Sequence, residues 1–143
     1  MDIRRYDRRD REDVVRLWRD GELVDDPEIA DAMIERKMSF DGNLFVGVED
    51  GEIVGTIMVG DEGRRGWLNL LAVDTSRRRA GLGAQLLRYA EDLLTAQGCP
   101  KVNLQIRHDN EDVVAFYERL GYGDDRVISM GKSLPTSDAP SDG

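Results

Sequence analysis

The stretch that most limits how this chain can fold is LNLLAVDTSRRRAGLGAQLL, residues 68–87. Residues 68–73 form an apolar run the length of a buried strand. A polar turn with three consecutive arginines follows, and Gly81 and Gly83 stand at its far end. Beyond Gly83, Leu86, Leu87, Ala90, Leu93 and Leu94 fall on one face of a helix. A strand that passes through a basic, glycine-bearing turn into a helix is a device for holding an anion. The first N–H groups of a helix lack internal partners, the helix dipole places partial positive charge there, and glycine lets a phosphate come close to the backbone. The turn lacks the Gly-Lys-Ser/Thr ending of a nucleoside-triphosphate loop. It also lacks the third glycine of a dinucleotide fingerprint, since Gln85 and Leu86 follow. On these residues alone, a tight strand-to-helix connection with no ligand stays open.

The remaining pattern places this device in an α/β domain with a mixed sheet. A first strand is expected over residues 3–6. Asp10 and Asp13 suggest a capping box ahead of an amphipathic helix carrying Val14, Val15, Leu17 and Trp18, which ends near Gly21. Asp26 and Pro27 supply the N-cap and first position of a second helix. Strands are expected over 44–48 and 53–59, joined by the hairpin signal Asp50-Gly51, with Gly55 as a weak point or bulge. A polar turn at 60–66 leads into the strand before the basic turn. The long helix is expected to stop at Gln97-Gly98. A strand at 102–106, a short helix capped by Asn110 and ended by Gly121, and a last strand at 127–130 complete the order. Residues 1–134 read as one domain, and 135–143, rich in Ser, Asp, Pro and Gly, as a disordered tail.

Composition removes several function classes. The formal charge of −9 disfavours nucleic acid and anionic membrane as partners, which makes the arginines at 77–79 a local exception that could draw a polyphosphate. No apolar run is long enough to cross a bilayer, and the first residues lack a signal-peptide core, so a cytoplasmic location is the default expectation. Cys99 is the sole cysteine and His108 the sole histidine. No intrachain disulfide and no thiolate or multi-histidine metal site can form; a carboxylate site stays open on composition, and no metal is expected.

Arg78-x-x-Gly81-x-Gly83 fits the R/Q-x-x-G-x-G/A signature of the GCN5-related N-acetyltransferases, and NEDVVAFYERLGY at 110–122 resembles the N-x-x-A-x-x-F-Y-E-x-x-G-F segment of the same family. The match at Asn110, Phe116, Tyr117, Glu118, Gly121 and Tyr122 lies in the expected order after the first motif, with Val113 and Val114 preceding Ala115. Within the family the chain is most similar to small bacterial members of the YpeA type. The resemblance implies a mixed, mostly antiparallel sheet, flanked by helices, whose central strands splay apart. It implies acetyl-coenzyme A as cosubstrate. The pyrophosphate would lie on Arg78, Arg79, Ala80, Gly81, Leu82, Gly83 and Ala84. The pantetheine would pair with the backbone of Leu71, Ala72 and Val73 and bond to Asn110, and Tyr117 would stand near the sulfur. Gln105 falls where some ribosomal-protein acetyltransferases carry a glutamate base, and a glutamine cannot accept that proton.

The expected activity is transfer of the acetyl group to a primary amine on a small molecule or peptide, by direct attack in a ternary complex with Tyr117 as general acid. The alternative is an acyl-coenzyme A sensor that performs no transfer. Family members often form homodimers. The general base and the acceptor are not legible in the residues.

Overall fold

The computed structural model describes residues 1–77 and 81–135. The chain divides into two compact units, Met1–Leu104 and Gln105–Gly143. The first unit runs β1 (Asp2–Arg5), α1 (Arg11–Asp20), α2 (Pro27–Phe40), β2 (Leu44–Glu49), β3 (Glu52–Asp61), β4 (Gly66–Val73), α3 (Leu82–Ala96) and β5 (Val102–Leu104). Its five strands lie in sequence order. Every pairing is antiparallel except β4 with β5, where α3 makes the crossover that a parallel pair needs. The mixed, mostly antiparallel sheet flanked by helices is therefore present.

Local chemistry sets most of the boundaries. The Asp26 side chain accepts from the N–H of Glu28, and Pro27 occupies the first turn of α2. Asp50 (φ 53) and Gly51 (φ 79) are both left-handed, as a two-residue hairpin loop with matching twist requires. The capping box forms one step earlier than expected. Asp7 and Asp10 make it around a 3-10 turn, Arg8–Asp10, and Asp10 gives α1 no side-chain cap. The reason is that the buried Asp10 carboxylate is already taken, by Arg4 at 2.7 and 2.9 Å and by the N–H of Asp7 at 2.8 Å.

Alternation along the strands sends successive residues to opposite faces. Leu44, Val46 and Ala72 join Val14, Leu17, Trp18, Ala30 and Ile34 in the core beneath α1 and α2. Phe45 faces the other way and meets Tyr89 of α3 edge-on, with ring centroids 5.0 Å apart. Gly55 also faces α3. A Cβ there would lie 2.7 Å from Leu86 Cδ1 and 3.1 Å from the carbonyl oxygen of Ala72, so its absence lets the helix sit close on the sheet. The register shift in β3 against β4 falls just past Gly55, between Thr56 and Met58.

In the second unit, α4 (Glu111–Arg119) is capped by Asn110 and ended by Gly121 at φ 95. The strand expected at 127–130 is not formed. Val127, Ile128 and Met130 are 78%, 88% and 89% exposed, and among the described residues of this unit no strand supplies the ladder that would hold them extended. The strand expected to 106 likewise ends at Leu104.

Candidate active site

β4 is paired unequally on its two sides. β3 runs along it from Gly66 to Val73, whereas β5 meets only Gly66, Trp67 and Leu68. From Asn69 to Val73, the side of β4 toward β5 has no strand partner among the described residues of this unit. Leu71, Ala72 and Val73 lie in that half.

The same half carries a bulge. Thr56 pairs with Ala72 and Met58 with Asn69, so two residues of β4, Leu70 and Leu71, stand opposite Ile57 alone. Leu70 adopts φ 53, a left-handed conformation that costs a branched-chain residue about 1–2 kcal/mol. A buried relay holds it there. The Thr56 hydroxyl donates to the Leu70 carbonyl at 2.8 Å and accepts from Trp18 Nε1 at 3.0 Å, and both Thr56 and Trp18 are fully buried. Bulges re-aim backbone groups, and this one turns the peptide planes at the point where the strand loses its neighbour. Sequence reasoning missed Trp18, Thr56 and Leu70. The available signal was Thr56, the one hydroxyl in the apolar run of residues 53–59.

The turn after β4 begins on Asp74, whose N–H donates to the Val54 carbonyl at 2.8 Å. The Asp74 carboxylate accepts from the N–H of Ser76 at 3.0 Å and from its hydroxyl at 2.8 Å, and these bonds hold it below the usual aspartate range. Arg77 is drawn back to the β2–β3 hairpin by Glu49 and Glu52. Arg78, Arg79 and Ala80 lie outside the described residues. Gly81, at φ 76, is the N-cap of α3, and an added Cβ would meet nothing within 4 Å. The glycine is therefore required by backbone conformation and not by crowding. The first bond along α3 runs from the Gln85 N–H to the Gly81 carbonyl at 3.1 Å. The amides of Leu82, Gly83 and Ala84 precede it, which is the arrangement that binds anions at a helix start.

In the second unit, the side-chain oxygen of Asn110 accepts from the Val113 N–H at 3.3 Å. Tyr117 lies between Phe116 and Tyr122, with ring centroids at 5.1 and 5.5 Å and edge-on geometry on both sides. Gly121 makes this cluster by reversing the chain, so that the Tyr122 N–H reaches the Tyr117 carbonyl at 3.1 Å. Burial pushes the Tyr117 phenol up to about 12, which keeps it protonated across the neutral range. Gln105 donates to the Ser129 hydroxyl at 2.5 Å. Among the described residues, no cluster of three or more His, Cys, Asp or Glu could hold a metal ion, and no helix is long and apolar enough to cross a membrane.

The sequence model described as the Acetyltransferase (GNAT) family matches residues 8–122. Among solved structures, Ard1 from Thermoplasma volcanium is 26% identical, with a TM-score of 0.74 over 84% of this chain and 80% of that one. The glucosamine-6-phosphate N-acetyltransferase from Arabidopsis thaliana is 25% identical, with a TM-score of 0.68 over 94% and 98%. The aminoglycoside N-acetyltransferase AAC(6')-Iy in complex with CoA shares the fold at 21% identity, with a TM-score of 0.79 over 93% and 95%.

Proposed function

The chain belongs to the acetyltransferase (GNAT) family, and from that premise we propose that it transfers an acetyl group from acetyl-coenzyme A to a primary amine, by direct attack in a ternary complex. The observation that carries this reading is Gly81. It is left-handed, it opens α3 at the end of the turn that follows the half-paired strand, and it sits inside the Arg78-x-x-Gly81-x-Gly83 motif. In this reading Arg78, Arg79, Ala80 and the amides of Gly81, Leu82, Gly83 and Ala84 hold the pyrophosphate. The free side of β4 at Leu71, Ala72 and Val73 receives the pantetheine, with Asn110 as a further contact. The neighbour crystallised with CoA supports the cosubstrate. The glucosamine-6-phosphate and aminoglycoside enzymes support an amine acceptor, and the net charge of −9 favours a cationic one.

Each residue has a physical task. An amine with a pKa near 10.4 gives up a proton before it attacks, at a cost of about 4–5 kcal/mol at pH 7. Its lone pair then forms the bond to the thioester carbonyl carbon, and negative charge develops on the carbonyl oxygen. A backbone N–H beside the Leu70 bulge meets that charge, already oriented by the Trp18–Thr56 relay, so little reorganisation is needed. The C–S bond breaks, the sulfur leaves with the electron pair, and the second proton lost by the nitrogen ends on it, giving the amide and the free thiol. Tyr117 donates a hydrogen bond to the departing sulfur. Full proton transfer from a phenol at about 12 to a thiolate of ordinary pKa, about 8.5, is uphill by about 5 kcal/mol. Tyr117 therefore acts chiefly by hydrogen-bonding the departing sulfur, and holding both reactants in line supplies much of the remaining rate.

Calorimetric titration with acetyl-coenzyme A and with ATP, followed by thiol-release assays over a panel of primary amines, tests the proposal. Binding of the thioester but not of ATP, with thiol release for at least one amine, is expected. Failure to bind acetyl-coenzyme A, or a Gly81→Glu protein with undiminished affinity, would refute it.

A further inference from the structure

Three arginines follow one another in the turn after β4, and the first is already engaged. Arg77 Nη1 lies 2.6 Å from Glu49 Oε1, and Nη2 lies 3.0 Å from Glu52 Oε2. Glu49 closes β2 and Glu52 opens β3. The two are direct partners across the Asp50–Gly51 turn. Like charges at paired positions repel, and a planar guanidinium that gives one N–H edge to each carboxylate removes the repulsion. The backbone makes the same connection. The Arg77 N–H donates to the Asp74 carbonyl at 2.9 Å, and Asp74 is tied to Val54 of β3. On the far side of the turn, Leu86 of α3 rests over Gly55, the next residue of β3. Both sides of the turn are thus anchored on one short stretch of β3, at Glu52, Val54 and Gly55.

We propose that Arg77 is a positioning residue and not a phosphate ligand: with Glu49 and Glu52 it clamps the start of the pyrophosphate turn to the β2–β3 hairpin, and so sets where the amides opening α3 stand. This rests on the acetyl-coenzyme A reading above. A phosphate seeking Arg77 would have to displace two carboxylates and then lie beside them, which electrostatics opposes. The division of labour follows directly. Arg77 shapes the site, and any direct phosphate contact from the run of three falls to its neighbours.

The two roles predict opposite signs for one variant. If Arg77 is a clamp, Glu49→Gln/Glu52→Gln loosens the turn and weakens acetyl-coenzyme A binding; if it is a ligand, the same variant frees the guanidinium and tightens binding. The experiment is calorimetric titration with acetyl-coenzyme A on wild type, Arg77→Leu, Arg77→Lys, the double glutamine variant and the triple combination. Steady-state kinetics and amide hydrogen exchange at residues 81–84 of the free protein accompany it. Exposed ion pairs are individually weak, so the expected rise in Kd is about three- to tenfold for Arg77→Leu and for the double variant. The triple combination should show no further loss, because both changes remove one contact. Arg77→Lys should keep most of the affinity. The KM for acetyl-coenzyme A should follow Kd, with kcat within about twofold of wild type, and exchange at 81–84 should accelerate. Unchanged or tighter binding in the double variant overturns the clamp, as does unaltered exchange. A wild-type protein that binds no acetyl-coenzyme A would refute the functional reading, while the exchange data would still report whether Arg77 holds the turn.

Discussion

The hydroxyl of Thr56 donates to the carbonyl of Leu70 at 2.8 Å, across a point where β3 and β4 fall out of register. Leu70 is held left-handed by this bond, and Trp18 fixes the hydroxyl by donating to it from the opposite side. One helix is thereby tied to the backbone of the strand proposed to carry the thioester.

Thr56→Val keeps the shape and removes the relay. The Trp18 N–H and the Leu70 carbonyl are then left without this partner in the core. The expected loss is about 1–3 kcal/mol in urea denaturation. Because the proposed mechanism sets a backbone N–H beside the bulge against the developing charge, kcat should fall more than the Kd for acetyl-coenzyme A rises. Equal effects on both would mean that the relay only stabilises the fold.

Gly81 separates conformation from crowding. No described protein atom lies within 4 Å of an added Cβ, so the stability cost of a side chain is that of φ 76. Gly81→Val should destabilise by about 1–2 kcal/mol, whereas Gly81→Asn should keep most of the stability because asparagine tolerates the left-handed region. Both should weaken acetyl-coenzyme A binding in calorimetry, because either side chain stands where the proposed phosphate approaches the backbone.

Tyr117→Phe removes the proposed hydrogen bond to the departing sulfur and should lower kcat by about 100-fold, with the Kd for acetyl-coenzyme A nearly unchanged. The titration has a definite sign. Burial favours the neutral phenol, so the folded pKa, about 12, lies above the ordinary value of 10.0. Its contribution to stability is complete below the unfolded pKa of about 10 and disappears as pH rises through the folded value. Phenolate absorbance should show one tyrosine titrating near 12 that is missing from the variant. Loss of turnover between pH 8 and 10 should not arise from Tyr117.

Gly55→Ala should cost about 1–3 kcal/mol, because the new methyl group meets Leu86 Cδ1 at 2.7 Å and the Ala72 carbonyl at 3.1 Å. Trimming the helix side with Leu86→Val in the same protein should recover part of the midpoint shift in thermal denaturation. No recovery would mean that the Ala72 carbonyl, and not the helix, is the obstacle.

What could be read from the residues were features settled within a few positions of themselves. Asp26-Pro27 capped a helix, Asp50-Gly51 turned a hairpin, and Gly98 and Gly121 ended helices at positive φ. The two motifs that resemble the acetyltransferases are of this kind, since a helix start after a strand and an aromatic pair before a terminating glycine are local objects. The same locality misled at Asp10, where a capping pattern was present but Arg4 had claimed the carboxylate. It misled again at residues 127–130, where a short apolar stretch cannot by itself supply a partner strand.

The chain's own order of residues determined the elements, their caps and the glycine-bearing turn, because those depend on bonds between near neighbours. Only the tertiary structure decided that Leu70 is bulged by Thr56 and that Arg77 belongs to Glu49 and Glu52. Thr56 and Leu70 are 14 residues apart, Arg77 and Glu49 are 28, and Trp18 and Thr56 are 38. Contacts of that span exist only after the sheet has assembled, and no spacing rule along the chain encodes them.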